Sequence, residues 1–127
     1  MSVDIVIEVE NKPGALAALA AAVSDAGVNL AAATFTGVGD KAELHILVPH
    51  AEPVRHALAI THKAVIAREH EVVVVEVEDS PGVLADLTRQ IADAGVNIDT
   101  IYVATNTRVV FGSEDIAGLK AALAKHH

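Results

Sequence analysis

Two stretches decide the fold: "EVENKPGALAALAAAVSDAGVN", Glu8 to Asn29, and "EVEDSPGVLADLTRQIADAGVN", Glu76 to Asn97. At one constant offset Pro13 meets Pro81, Gly14 meets Gly82, Leu16 and Leu19 meet Leu84 and Leu87, and "DAGVN" recurs whole. This is an internal repeat of a small supersecondary unit. Each copy opens on a β-branched run, "SVDIVIEVE" or "EVVVVEVE", that reads as a strand. A Pro-Gly turn follows, with Pro expected at the first helical position and Ser80 as an N-cap in the second copy. Leu16, Leu19 and Val23, like Leu84, Leu87 and Ile91, recur at spacings of three and four and form one apolar helical stripe. Gly27 and Gly95 stand where a left-handed C-cap ends that helix.

Further on, the pattern predicts strands over Asn29–Thr36 and Asn97–Ala104, then over Ala42–Val48 and Arg108–Phe111. Second helices are expected over Glu52–Ile60 and Glu114–Ala124, the latter with Ser113 as N-cap. "KAVIARE" reads as a fourth strand that runs almost without punctuation into the first strand of copy two. The order is βαββαβ followed by βαββα, a split βαβ arrangement that places helices on one face of an antiparallel sheet. The fold class is α+β, in two ferredoxin-like units over 1–69 and 70–127, the second lacking its last strand. So small a unit is marginal alone, and an uncovered sheet edge invites pairing. A homodimer, or a strand such as Glu71–Glu78 shared between the halves, is expected.

Composition bounds the function. A formal net charge of -8, with 9 basic residues against 17 acidic ones, argues against a nucleic-acid partner. The absence of cysteine removes disulfides, thiolate metal sites and a cysteine nucleophile. No signal-peptide pattern opens the chain and no apolar run reaches bilayer length, so a cytoplasmic protein without a membrane partner is expected. Seven histidines raise a metal hypothesis, but His50, His56 and His62 do not share a helical face and no HExxH pattern occurs, so solvated imidazoles are expected and no metal. "TGVGDK", Thr36–Lys41, precedes a strand and reads as a hairpin turn rather than a phosphate loop. No nucleophile elbow or acid–base set is evident, and no cofactor is implied.

"ENKPGALAAL…AGVNL" and "EDSPGVLADL…AGVNI" resemble the ACT domain, a ferredoxin-like module that commonly binds amino acids. The chain as a whole looks like small stand-alone tandem ACT proteins. The resemblance implies ligand contacts at the residue two before the Pro and at the Asn opening the second strand: Asn11 with Asn29, and Asp79 with Asn97. It places beside them the turn residues Pro13, Gly14, Ala15 and Leu16 and, in the second copy, Gly82, Val83 and Leu84. Unpaired amides at a helix start can receive a carboxylate, and a glycine there lets a ligand approach the main chain. Asn11 offers donor and acceptor, whereas ionised Asp79 offers acceptors and a charge suited to ammonium. Turn and cap chemistry alone is the competing account of all four residues. Val9 and Val77 stand where serine-binding members often carry a polar residue, which argues against a serine-like ligand.

The implied function is a non-enzymatic sensor that takes a small amino acid at the β1–α1 turns where ACT units meet, and passes the signal to an amino-acid-metabolism enzyme. The alternative is an interaction or regulatory subunit that binds no ligand. "VENKPGALA" is also similar to acetolactate synthase small subunits.

Overall fold

The computed structural model describes residues 2–28, 30–60, 64–78, 80–105 and 107–124. Two units emerge, one over Ser2–His70 and the other over Glu71–His127. The first holds β1 (Ser2–Glu10), α1 (Ala15–Asp25), β2 (Ala32–Val38), β3 (Lys41–Val48), α2 (Glu52–Ala59) and the start of β4 (Ala64–Glu76). The second holds the end of β4, then α3 (Val83–Asp93), β5 (Thr100–Thr105), β6 (Arg108–Gly112) and α4 (Ile116–Ala122). Strand β4 crosses the boundary without a break, as the unpunctuated β-branched run "AVIAREHEVVVVE" anticipates.

Strand order in the first unit is β2-β3-β1-β4 and in the second β4-β6-β5. Strand β3 lies antiparallel to both its neighbours, with Ile5 opposite Ile46 and Ala33 also opposite Ile46. In the second unit β6 does the same, with Val74 opposite Val110 and Tyr102 opposite Val110. This is the α+β, split βαβ pattern read from the sequence.

Alternation along the strands chooses the core. Ile5, Ile7 and Val9 of β1 and Ala42, Leu44, Ile46 and Val48 of β3 face Leu19 and Val23 of α1 and Val54 and Leu58 of α2. The second core repeats the scheme with Val73, Val75, Val109 and Phe111 under Leu87, Ile91, Leu119 and Leu123. A fully buried leucine or isoleucine contributes about 1.5–3 kcal/mol relative to an exposed one, so these layers dominate the stability of each unit.

Several local expectations need correction. Neither Pro occupies the first helical position: α1 and α3 begin at Ala15 and Val83, with Gly14 and Gly82 as their N-caps. Ser80 is therefore not a cap. The cause is a type II turn, which wants Pro second and a positive-φ residue third. Gly14 has φ 88° and ψ -15°, and the Ala15 N–H donates to the Lys12 carbonyl at 3.2 Å. Gly82 repeats this at φ 89°.

Helix α4 starts at Ile116, and its cap is Asp115, which accepts from the Gly118 N–H at 3.0 Å; Ser113 instead accepts from the Asp115 N–H. The apolar stripe also loses its first members, because Leu16 is 39% and Leu84 44% exposed while Leu19, Val23, Leu87 and Ile91 are buried. Helical phase sets Leu16 on the face of Val23, so its exposure means that the first turn stands clear of the core. Strands β2 and β5 begin at Ala32 and Thr100, three residues later than the pattern suggests.

Candidate functional site

The first Pro-Gly turn carries the site. A glycine N-cap has no side chain to offer, and α1 has neither a side-chain cap nor an acidic residue in its first turn. Its leading amides thus present the positive end of the helix dipole without compensation from α1's own residues. Beside them lies a cavity of about 500 Å³, within the roughly 300–1,000 Å³ range of small-molecule sites. Pro13, Gly14 and Ala15 line it together with the apolar Val9, Ala18, Leu19, Ala64 and Val65, and Glu8, Glu10, Lys12 and Lys41 supply charge of both signs. Lys12 Nζ and Glu10 Oε2 pair at 2.8 Å, with both side chains more than half exposed. Such a pair is weak and can yield each partner to a ligand of the opposite charge.

Of the residues singled out from the sequence, Pro13, Gly14 and Ala15 line this cavity together. Asn11 does not. Its main-chain N–H donates to the Asp40 carbonyl at 2.9 Å and its side-chain amide to the Gly39 carbonyl at 2.9 Å, so it buttresses the β2–β3 hairpin. Gly37 makes room for it: a Cβ there would sit 2.6 Å from Asn11 Oδ1. Leu16 is exposed on the first turn, outside the cavity wall.

In the second unit Gly82, Val83 and Leu84 open α3 as their counterparts open α1. Asn97 lies in the α3–β5 loop, and its side-chain amide donates to Asp99 Oδ1 at 3.1 Å. The other Asp99 oxygen accepts from the Glu114 N–H at 2.8 Å, so this loop is tied to the start of α4. The expectations placed on Asn29 and Asp79 lie outside the described residues.

Sequence reading missed one polar cluster. Asp4, on β1, is fully buried; His45 Nδ1 of β3 lies 2.9 Å and His70 Nε2 of β4 3.5 Å from its Oδ2. His45 and His70 are thus half-buried partners of a carboxylate, not solvated imidazoles. The available signal was Asp4 itself, an acid among apolar neighbours in "SVDIVIEVE". Among the described residues no group of three His, Asp or Glu side chains is placed to hold a metal, and no helix is long and apolar enough to cross a membrane.

No curated protein matches this chain. Among solved structures, protein BT0572 from Bacteroides thetaiotaomicron aligns with a TM-score of 0.84 at 24% identity, over 97% of this chain and 86% of that one. The regulatory subunit of aspartate kinase from Thermus thermophilus, in a ligand-free form, aligns at 0.69 and 17% identity, over 98% and 91%. Its counterpart from Thermus flavus aligns at 0.66 and 17%, over the same shares. At these identities the likeness is one of fold. The ACT domain family model matches residues 3–65 and again 72–127, spanning nearly the whole sequence, and the chain therefore belongs to the ACT domain family as a tandem pair.

Proposed function

We propose that this protein is an amino-acid-responsive regulator that takes a small aliphatic amino acid at the β1–α1 turn of its first unit. The observation that carries this reading is the pairing of α1 amides that no side chain caps with a cavity lined by apolar residues and by charges of both signs. The ligand carboxylate would meet the helix start and Lys12, its ammonium Glu8 or Glu10, and its side chain Ala18, Leu19 and Val65. Among the described residues that line the cavity none is aromatic, and Val9 offers nothing to a hydroxyl, so an aliphatic side chain fits better than an aromatic or hydroxylated one. Membership of the ACT family supports an amino-acid ligand, and the fold likeness to aspartate kinase regulatory subunits supports a regulatory role.

For a signal to follow, the ligand must favour one arrangement of the protein over another. The second reading is an assembly module, and it has its own observation. Strands β2 and β5 close the strand order of their units and expose Phe35, Val38, Ile101 and Val103. On either reading a second copy of the chain and an enzyme of amino-acid metabolism are the proposed partners.

Thermal-shift measurements against the amino acids test the proposal. A ligand at 100 times its Kd stabilises the folded state by about 2.7 kcal/mol. The expected result is a shift with aliphatic amino acids that is reduced in Lys12→Ala. A flat response to every amino acid would sink the sensing proposal in favour of assembly.

A further inference from the structure

Strand β2 is an edge that the protein leaves unguarded. Natural sheets protect an edge strand with charge, proline, a β-bulge or very short length. Strand β2 has none of these: "AATFTGV" carries no charged residue and no proline, pairs with β3 without a break over all seven of its residues, and is exposed from Ala33 to Val38. Strand β5 ends the order of the other unit but is guarded. Its register against β6 slips between Val103 and Thr105, and such an irregularity turns an edge away from an incoming strand. We propose that two copies of this chain join through β2, antiparallel and centred on Phe35, so that Phe35 meets Phe35 of the second copy and Thr34 meets Thr36 of the second copy. The inference rests on the assembly reading above and adds to it the edge and the register; it needs no amino-acid ligand.

The strand's own sequence argues for a second copy as the occupant. An interface between identical chains about a two-fold axis must be self-complementary. An axis at Phe35 sets Thr34 against Thr36, Ala33 against Gly37 and Ala32 against Val38, so "ATFTG" reads nearly the same in both directions. Threonine pairs and aromatic pairs are favourable cross-strand neighbours. Charge points the same way. From Ala26 to Gly39 no Asp, Glu, Lys or Arg occurs, the longest such run in the sequence, while the whole chain carries a net charge of -8. Two copies of so acidic a chain meet at least electrostatic cost where charge is absent, whereas a basic partner would find no counter-charge on this edge.

Light scattering of the full chain across a concentration series is the first test. Wild-type protein is expected to reach the dimer mass, about twice 13.1 kDa. Thr36→Lys places a cation on the edge of each copy and should return the monomer mass with unchanged far-UV circular dichroism. Val103→Lys, at an exposed position of β5, should stay dimeric. The chain has no cysteine, so introduced thiols then report the register without background. A mixture of Thr34→Cys and Thr36→Cys proteins, mildly oxidised, should give a disulfide-linked dimer in clearly higher yield than either variant alone. Only the mixture sets two thiols directly opposite, and a disulfide does not form between Cα atoms more than about 7 Å apart.

Dimer mass retained in Thr36→Lys, dimer mass lost in Val103→Lys, or no excess of disulfide in the mixture over the single variants would overturn the inference and leave assembly through another surface intact. A monomer mass at every wild-type concentration would overturn the inference and the pairing of copies together.

Discussion

Replacing Gly14 or Gly82 by alanine isolates one backbone term, because a Cβ at either position would meet no atom within 4 Å. The only penalty is conformational. Both residues hold φ near 90°, at 88° and 89°, where an L-residue costs about 1–2 kcal/mol. Alanine also restricts the unfolded chain, which offsets about 0.4–1 kcal/mol of that cost. The net loss is about 1 kcal/mol for each variant. With a urea m-value of about 2 kcal/mol/M for a chain of this size, the unfolding midpoint should fall by about 0.5 M at unchanged m. Because the two turns have the same geometry, the two variants should fall together. Urea denaturation followed by far-UV circular dichroism measures this directly. A midpoint at or above wild type in either variant would refute the type II turn account, since it would mean that the native backbone there does not require positive φ.

Three other expectations follow from particular contacts. His45→Ala removes the imidazole nearest the buried Asp4 carboxylate and should cost about 1.5–3 kcal/mol, whereas His70→Ala, at 3.5 Å, should cost less; denaturant midpoints compare them. Asp115→Ala removes the α4 cap and should cost about 1 kcal/mol, with Ser113→Ala clearly milder; the reverse order would return the cap to Ser113. Arg55 donates to Glu69 at 2.7 Å through Nε, and this hydrogen bond, outweighing partial burial and assisted by the guanidinium charge, holds the Glu69 carboxyl below its usual value. A depressed carboxyl contributes stability above its unfolded-state value and loses it as pH falls through the folded-state value. Glu69→Gln should therefore lower stability modestly at neutral pH, flatten the acid limb of a stability–pH curve below the ordinary glutamate range, and converge with wild type at the acid end; an unaltered acid limb would show that the pair contributes nothing.

The repeat, the α+β order of elements and the buried stripes of α1 and α3 were legible in the sequence because each depends on residues close together in the chain. Alternation with a period of two and apolar spacing of three and four report directly which face a local segment buries. The Pro-Gly turn was legible as a turn. Its type was not, because Pro is compatible with both a first helical position and the second place of a type II turn, and the positive φ of Gly14 separates them only once the backbone is built. For the same reason Ser80 and Ser113 read as caps, while Gly82 and Asp115 hold those places.

What tertiary structure alone decided is the use made of polar side chains. Asn11 stands before Pro13, and its side-chain amide donates to the Gly39 carbonyl, 28 residues away, across a space that Gly37 keeps open. Asp4, His45 and His70 are distant in the chain and meet only because β1, β3 and β4 do. The lining of the cavity likewise combines Val9, Ala18 and Val65 from three elements. Periodicity is a one-dimensional signal that survives in the sequence. A hydrogen-bond partner or a cavity wall is chosen among residues brought near by packing, and no local pattern records which of them arrives.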